Sequence, residues 1–410
     1  MYPEVAIAHS RDVPLMERIE KDSFPFPWDT ETLEACVELP SYRTWTASLD
    51  GEIRGYVTAE LDSGSLHIVN LAVEREYRRM GIAGSLLEEA ESWGERLGAG
   101  FSCLEVRESA EPARSLYSSS GYRQTEPLDD YYHDGEKGLR FEKALKPRRE
   151  TSAVAARILE ITETIPPVGI VLGSGLSWLA EEFGVSSRIH FRAVLGDSGP
   201  ELPGHPGEML FSGCGRFVFL LGRRHYYQGY TGDEISLLPG VLGDLGAETW
   251  ILTSSSGAVD ENLRPGDAVL FRDHVNFTGC IPRVGRTRTG RSVYSEALRQ
   301  AALEAASMAG SVLKEGLFAC VSGPAYETSA EISFLQKHGF STVSMSTVPE
   351  ALLLSARGFE VAALSLVTNA AAPGAVVTHD EVLSSQESVK ARQHRFLSIL
   401  SEKAASIALQ

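Results

Sequence analysis

Val168-Gly169-Ile170-Val171-Leu172 carries no polar side chain and is closed by Gly173-Ser174-Gly175-Leu176. So short and apolar a run has the pattern of a strand buried on both faces, which needs layers packed above and below it. Comparable runs stand at Phe217–Leu220, Thr249–Thr253, Ala268–Phe271, Leu317–Val321 and Ala362–Thr368, with helix-like stretches between them. That alternation predicts an α/β domain around a mixed central sheet. Open α/β sheets bind ligands at strand ends, and polar clusters follow these strands. They are Ser174; Arg223, His225 and Tyr227; Ser254-Ser255-Ser256-Gly257; Ala325-Tyr326-Glu327-Thr328; Met345-Ser346-Thr347-Val348-Pro349-Glu350; and Thr368-Asn369. Packing alone does not call for so many hydrogen-bonding groups at strand ends. Leu221–Tyr230 concentrates two arginines, a histidine and three tyrosines. It suits a cleft gripping an anion beside a flat or sugar-like group, because Arg offers forked donors and Tyr a ring face with a hydroxyl. Taken alone, that stretch also fits a solvated loop with partly packed tyrosines.

A chain of 410 residues exceeds one ordinary core, so more than one domain is expected. A net charge of −17 argues against a surface that coats nucleic acid, though it leaves room for a local basic pocket. No apolar run reaches the length of a membrane span, and Met1-Tyr2-Pro3-Glu4 lacks the regions of a signal peptide, so a cytoplasmic location is expected. Cys36, Cys103, Cys214, Cys280 and Cys320 are far apart and without metal-ligand spacing, which predicts reduced thiols and no metal.

In the first part of the chain, Asp12–Ser23 has helical spacing, and Asp29-Thr30 caps a second helix through Glu34. Strand-like runs follow at Thr44–Ala47, Arg54–Glu60 and Leu66–Val73, with Asp50-Gly51-Glu52 as a hairpin turn. The last strand leads to Arg78-Arg79-Met80-Gly81-Ile82-Ala83-Gly84, which opens an amphipathic helix through Leu86, Leu87, Ala90 and Trp93. Small residues there leave backbone N–H groups accessible, and the helix dipole makes them a cradle for pyrophosphate. A joint whose glycines only permit tight packing is the other reading.

Arg78-x-x-Gly81-x-Ala83 resembles the acetyl-CoA loop of the GNAT acyltransferase family. Phe24-Pro25-Phe26-Pro27-Trp28, Leu104-Glu105-Val106-Arg107, Leu116-Tyr117-x-x-x-Gly121-Tyr122 and Asp130-Tyr131-Tyr132 are similar to the bacterial members that acetylate the N-terminal alanine of a ribosomal protein. The resemblance implies the GNAT fold, with acetyl-CoA as cosubstrate held at Leu71, Val73, Arg78, Arg79, Gly81, Ala83 and Gly84. It implies Glu105 as general base for an acceptor amine at a protein N-terminus, and Tyr117 as the acid that reprotonates the CoA thiolate. Two positions depart from the family: Ala110 stands where Asn is usual, and Asp129-Asp130 where related enzymes are often basic.

Lys146-Pro147-Arg148-Arg149-Glu150 is charged, proline-broken and without apolar periodicity, and reads as a linker. The expected division is a GNAT domain at 1–146, a linker at 147–152 and a second domain at 153–410, entered by a helix over Ser152–Ile161.

The second domain resembles the trimeric purine nucleoside phosphorylases. The matching segments are Gly173-Ser174-Gly175-Leu176, Gly204-His205-Pro206-Gly207, Arg223–Tyr230, Arg272-Asp273-His274-Val275-Asn276, Gly323–Thr328, Met345–Glu350, Thr368-Asn369 and His379–Leu383. The resemblance implies a nucleoside phosphorylase α/β fold, a homotrimer, and phosphorolysis of a nucleoside to base and ribose 1-phosphate. Phosphate would be held by Ser174, His205, Arg223, His225, Ser255 and Ser346. The nucleoside would meet Tyr227, Tyr326, Glu327, Met345, Asn369 and His379, with Asn369, Glu327 and His225 as the catalytic groups. Asn369 with Glu327 favours inosine and guanosine. The methylthioadenosine phosphorylases, which usually carry Asp and Thr in corresponding positions, and a purine-binding scaffold that trimerises the acetyltransferase are the alternatives. Ser254 replaces the Asn of the family's Thr-Asn-Ala-Ala-Gly-Gly loop. Gly279–Tyr294 is short, carries Arg283, Arg286, Arg288 and Arg291, and lacks the aromatic residue that the family sends into a neighbouring subunit. Those arginines fit a solvated face or an anion site.

Overall fold

The computed structural model describes residues 3–62, 64–196, 206–284, 292–371 and 386–409. The chain divides into two compact units, Met1–Ala156 and Arg157–Leu409.

The first unit opens with β1 (Glu4–Ile7), α1 (Val13–Ser23) and α2 (Thr30–Glu38), followed by the meander β2 (Tyr42–Leu49), β3 (Glu52–Asp62) and β4 (Ser65–Val73). Then come α3 (Ile82–Leu97), β5 (Phe101–Arg107), α4 (Glu111–Ser119), β6 (Arg123–Leu128) and β7 (Gly138–Ala144). The helical spacing of α1 buries Val13, Met16 and Ile19 against Tyr56 and Ala72. The Asp29 carboxylate accepts from Thr32 N at 2.9 Å and so caps α2. The seven strands lie in the order β1-β2-β3-β4-β5-β7-β6. All neighbours are antiparallel except β4 and β5. Their parallel pairing covers Ser65–Phe101, Leu66–Ser102 and His67–Cys103 and stops there, although both strands continue.

The stretch read as linker is helical from Arg149, the first residue of α5 (Arg149–Leu159). Proline at 147 and a run of charge conceal this, because the local backbone is secured by tertiary partners. Lys146 N donates to Glu95 Oε1 at 3.0 Å and Arg148 N to Glu95 O at 2.8 Å. The boundary between the units falls inside this helix, after Ala156.

The second unit begins with β8 (Val168–Leu172), α6 (Ser177–Glu182), β9 (Val185–His190), α7 (Phe191–Leu195), β10 (Glu208–Ser212) and β11 (Phe217–Leu221). Next come α8 (Gly232–Asp244), β12 (Thr249–Ala258), β13 (Ala268–Asn276), α9 (Glu296–Ala309) and β14 (Leu313–Cys320). It ends with α10 (Ser329–Lys337), β15 (Phe340–Ser344), α11 (Val348–Ala356), β16 (Glu360–Ala370) and α12 (Gln386–Ala408). Every residue of β8 and β11 is buried, as their composition requires. Val168, Ile170, Phe217, Phe219 and Leu364 share one core with the helical Leu298, Phe396 and Leu400.

The sheet has nine strands in the order β15-β14-β13-β16-β12-β8-β11-β10-β9. Parallel and antiparallel neighbours are mixed. β15 also pairs with β12 at Gly257 and Ala258, closing β12, β16, β13, β14 and β15 into a ring. Two polar clusters expected beyond strand ends lie within strands instead. β12 and β16 stay in register from Thr249–Glu360 to Ala258–Ala370, with a bulge between Ser256 and Gly257, so Ser254–Ser256 and Asn369 are strand residues. The β12–β16 pairing holds the backbone there, whatever the polarity of the side chains.

Candidate active sites

In the second unit one cavity gathers Ser174, Arg223, His225, Ser255 and Ser346 with Tyr227, Tyr326, Glu327, Met345 and Asn369. His205 and His379 lie outside the described residues. The chain turns into the cavity after β8, where a Cβ on Gly173 would stand 3.2 Å from Ser255 N. Gly173 N donates to the buried Thr253 hydroxyl at 2.9 Å, which locks that turn against β12.

The Arg223 guanidinium is almost fully enclosed. Its Nη1 donates to the hydroxyls of Ser346 and Thr347, each at 3.0 Å. Its Nε lies 3.1 Å from the Glu350 carboxylate, and the two side chains are 3% and 1% exposed. Its buried Nη2 has no partner among the described residues, and a buried donor without a partner beside a polar cavity is a place for a ligand oxygen. His225 stacks on Tyr227 with centroids 5.0 Å apart. Its backbone N–H donates to Gln228 Oε1 at 2.8 Å, fixing the turn that presents both rings.

Elsewhere on the cavity wall, burial raises the Glu327 carboxyl above the usual carboxylate range, and the neighbouring charge of Glu331 pushes the same way. Asn369 Oδ1 accepts from the Thr368 hydroxyl at 3.1 Å, which leaves the amide's N–H donors uncommitted to that bond. A Cβ on Gly257 would stand 3.3 Å from Asn369 Nδ2, so the small residue keeps room for that amide. Ser254 belongs to a row of hydroxyls: Ser254 to Ser256 at 3.2 Å, Ser256 to Ser365 at 2.9 Å, and Ser365 to Thr342 at 2.9 Å. Arg283 is exposed and ion-paired with Asp233, while Arg286, Arg288 and Arg291 lie outside the described residues.

In the first unit α3 starts at Gly81, which has φ +86° and provides no side-chain cap. No atom lies within 4 Å of a Cβ built on Gly81 or Gly84, so the helix start is open above both. Arg79 also has positive φ. Arg78 is turned into the joint, with Nε donating to Val73 O at 2.9 Å and Nη2 to Ser23 Oγ at 3.2 Å. Leu71 and Val73 lie on β4 beyond the point where its pairing with β5 stops, and Ala83 is in the first turn of α3.

Glu105 is on β5, its Oε2 2.7 Å from His67 Nε2 and its Oε1 3.4 Å from Arg140 Nη1. The hydrogen bond from His67 holds this carboxyl below the usual range, against the opposing effect of burial. Tyr117, on α4, is buried beside Tyr122 and Phe141, and burial pushes its hydroxyl up so that it stays protonated. The two groups stand on separate elements, β5 and α4. Ala110 precedes α4 and makes no side-chain cap, so the departure at this position costs the helix a capping group.

Comparison with known proteins separates the two units. Residues 13–122 match the acetyltransferase (GNAT) family, and residues 168–402 match the phosphorylase superfamily. The chain belongs to the phosphorylase superfamily.

Purine nucleoside phosphorylase 1 of Geobacillus stearothermophilus is 36% identical over 246 residues, 57% of this chain and 90% of the relative. The Mycobacterium tuberculosis purine nucleoside phosphorylase is 35% identical over 249 residues, covering 58% and 91%. A crystal structure of a schistosome purine nucleoside phosphorylase with hypoxanthine has a TM-score of 0.55 and 29% identity, covering 61% of this chain and 95% of that one. A Schistosoma mansoni structure with adenosine gives a TM-score of 0.54 and 30% identity over the same shares. The second unit is thus a purine nucleoside phosphorylase-type domain and the first a GNAT domain, as the two sequence resemblances imply.

Within the phosphorylase-type domain three placements escaped the sequence reading. Thr347 and Glu350 stand in a recognised segment, yet nothing in their spacing shows that both reach Arg223 from the start of α11. The hydroxyl row depends on Ser365 and Thr342, from strands distant in sequence. In the GNAT domain, His67 is a single histidine within a strand, and its link to Glu105 emerges only when β4 and β5 align. Among the described residues no group of three or more His, Cys, Asp or Glu is placed to hold a metal, and no helix is long and apolar enough to cross a membrane.

Proposed function

We propose that the chain is a fused, bifunctional, cytoplasmic enzyme. Its 153–410 part would cleave 6-oxopurine nucleosides, inosine and guanosine, with phosphate to free base and ribose 1-phosphate. Its 1–146 part would transfer acetyl from acetyl-CoA to a protein N-terminal amine. The phosphorylase half would assemble as a homotrimer and serve purine salvage.

The observation that supports this reading is that one cavity is lined both by an enclosed arginine and by a carboxyl and an amide. Arg223, enclosed and with Nη2 unpartnered among the described residues, lines the same space as Glu327 and Asn369. On this reading Ser174, Arg223, His225, Ser255 and Ser346 hold phosphate, with His205 adjoining. Tyr227, Met345 and His379 hold the sugar. Tyr326, partly exposed at 44%, lies against the base.

The chemistry is electrostatic. The bond from C1′ to the purine nitrogen breaks with its electron pair moving to the base, and a phosphate oxygen forms the new bond to C1′. Positive charge growing on the sugar is met by phosphate, while negative charge growing on the base is met by the Asn369 donors. Glu327 accepts hydrogen bonds from the pyrimidine edge. In the other half Glu105 takes the proton of the attacking amine and Tyr117 returns one to the leaving thiolate.

The test is release of hypoxanthine from inosine with and without phosphate. Phosphate-dependent release is expected, and Asn369→Ala should lower kcat by roughly 10²–10³ as for loss of one transition-state donor. Inosine that binds without turning over would refute phosphorolysis, and faster release of adenine from methylthioadenosine would refute the 6-oxo preference. For the first half, CoA thiol release with an Ala-initiated peptide should be lost in Glu105→Gln.

A further inference from the structure

The anion grip contains a carboxylate. Glu350 stands in the first turn of α11, fully buried, with its oxygen 3.1 Å from Arg223 Nε. A buried negative charge beside a pocket for phosphate would weaken anion binding if charge were its only effect. Geometry gives it another role.

The guanidinium has three edges. Nε lies 3.1 Å from the Glu350 carboxylate as an ion pair without a hydrogen bond, Nη1 donates to the hydroxyls of Ser346 and Thr347, and Nη2 meets no described residue. The two hydroxyl acceptors and the paired carboxylate all come from Ser346–Glu350, so a single short segment fixes the orientation of the plane. That segment is itself under constraint. Thr347 is buried, β-branched and at φ +78°, an unfavourable conformation that persists only where the surroundings enforce it. It occupies the N-cap position of α11 yet makes no cap bond, because its hydroxyl accepts from Arg223. The helix forgoes a cap and the backbone holds an unfavourable dihedral, and both place acceptors on Arg223. Burial raises the Glu350 carboxyl while the Arg223 charge draws it back down, which fits a pair that depend on each other.

We propose that Glu350 is a positioning residue for the phosphate site: it holds Arg223 through Nε, so that Nη2 is the edge presented to the anion. The proposal rests on the phosphorolysis reading for its ligand.

Glu350→Met fills the volume without a polar partner, whereas Glu350→Gln keeps a side-chain oxygen beside Nε and removes the charge. Loss of the buried ion-pair partner predicts that Glu350→Met raises the KM for phosphate by about 10–100-fold. The KM for inosine should stay within twofold, and Glu350→Gln should bind phosphate at least as tightly as the parent. A phosphate KM unchanged in Glu350→Met, both KM values rising together, or Glu350→Gln failing like Glu350→Met would overturn the positioning role. Should Glu350→Met not fold, Thr347→Val removes one Nη1 acceptor at constant shape. It should raise the phosphate KM alone, and an unchanged value would count against the proposal. A parent protein that releases no base would sink the phosphorolysis reading by itself. The Kd of the full chain for inorganic phosphate, measured by calorimetry, then replaces KM in the same comparison, and equal Kd values in parent and Glu350→Met would sink the positioning role too.

Discussion

Glu327 is buried with Glu331 as its charged neighbour, so its carboxyl titrates above the ordinary range. A carboxyl raised in this way ionises late, and only the ionised form accepts hydrogen bonds on both oxygens from a purine edge. kcat/KM for inosine should therefore fall on the acid side at a pH above that of an ordinary glutamate. Glu327→Gln should remove that limb and leave a lower, flatter profile; a limb that survives the substitution would assign it to another group. The stability effect has the opposite sense: a raised carboxyl favours the fold while protonated, and this contribution is lost as pH rises through its folded pKa. Glu105 behaves inversely. His67 keeps it ionised to lower pH, and its contribution to stability is present above the unfolded pKa and lost as pH falls through the folded one. His67→Ala should shift the acid limb of acetyl transfer upward while leaving phosphorolysis unchanged, as read from paired pH profiles of CoA and hypoxanthine release. An acetyl-transfer limb that stays in place would detach His67 from the base.

Among the elements, β8 shows how tightly composition and packing are joined. Gly169 pairs with Trp250 across the parallel β8–β12 register, and a Cβ there would overlap the Trp250 ring. That indole is fully buried and donates to Ala247 O, so it has no route out of the way. Gly169→Ala should cost about 1–3 kcal/mol as overpacking, measured by denaturant unfolding of the second unit; a neutral result would mean that the strands separate with ease. Runs such as β8 and β11 were legible because burial on both faces demands an uninterrupted apolar sequence. β9 was not, since Ser186, Arg188 and His190 are exposed and break any such run. β10 and β15 likewise escaped notice, their short segments containing Glu208, Ser341 and Thr342. Of the candidate site, residues named from separate motifs, Ser174, Arg223, His225, Glu327 and Asn369 among them, line one cavity. The support beneath Arg223 could not be read in this way, because Glu350 reaches it across 127 positions of chain through α11 alone.

At the level of the whole molecule, the two units have separate cores and separate candidate ligands. Acetyl-CoA at about 100 times its Kd should stabilise one unit by about 2.7 kcal/mol, moving one thermal transition by roughly 5–10 °C and leaving the other in place. Phosphate with hypoxanthine should move the other alone. A single transition that answers to both ligands would show that the units unfold together.

The large sheet is asymmetric at its two ends. At one, β15 folds back onto β12, so its outer hydrogen-bonding groups are partly satisfied by its own sheet. At the other, β9 has β10 as its one strand neighbour among the described residues. An unpaired strand edge is a template on which a foreign strand can grow. Here that edge is brief and bears Arg188, which is ion-paired with Glu181 and Glu208. Charge carried on an edge strand disfavours the addition of a foreign strand. The residues that break the apolar pattern of β9, and hid it from view, are therefore its protection against runaway self-association.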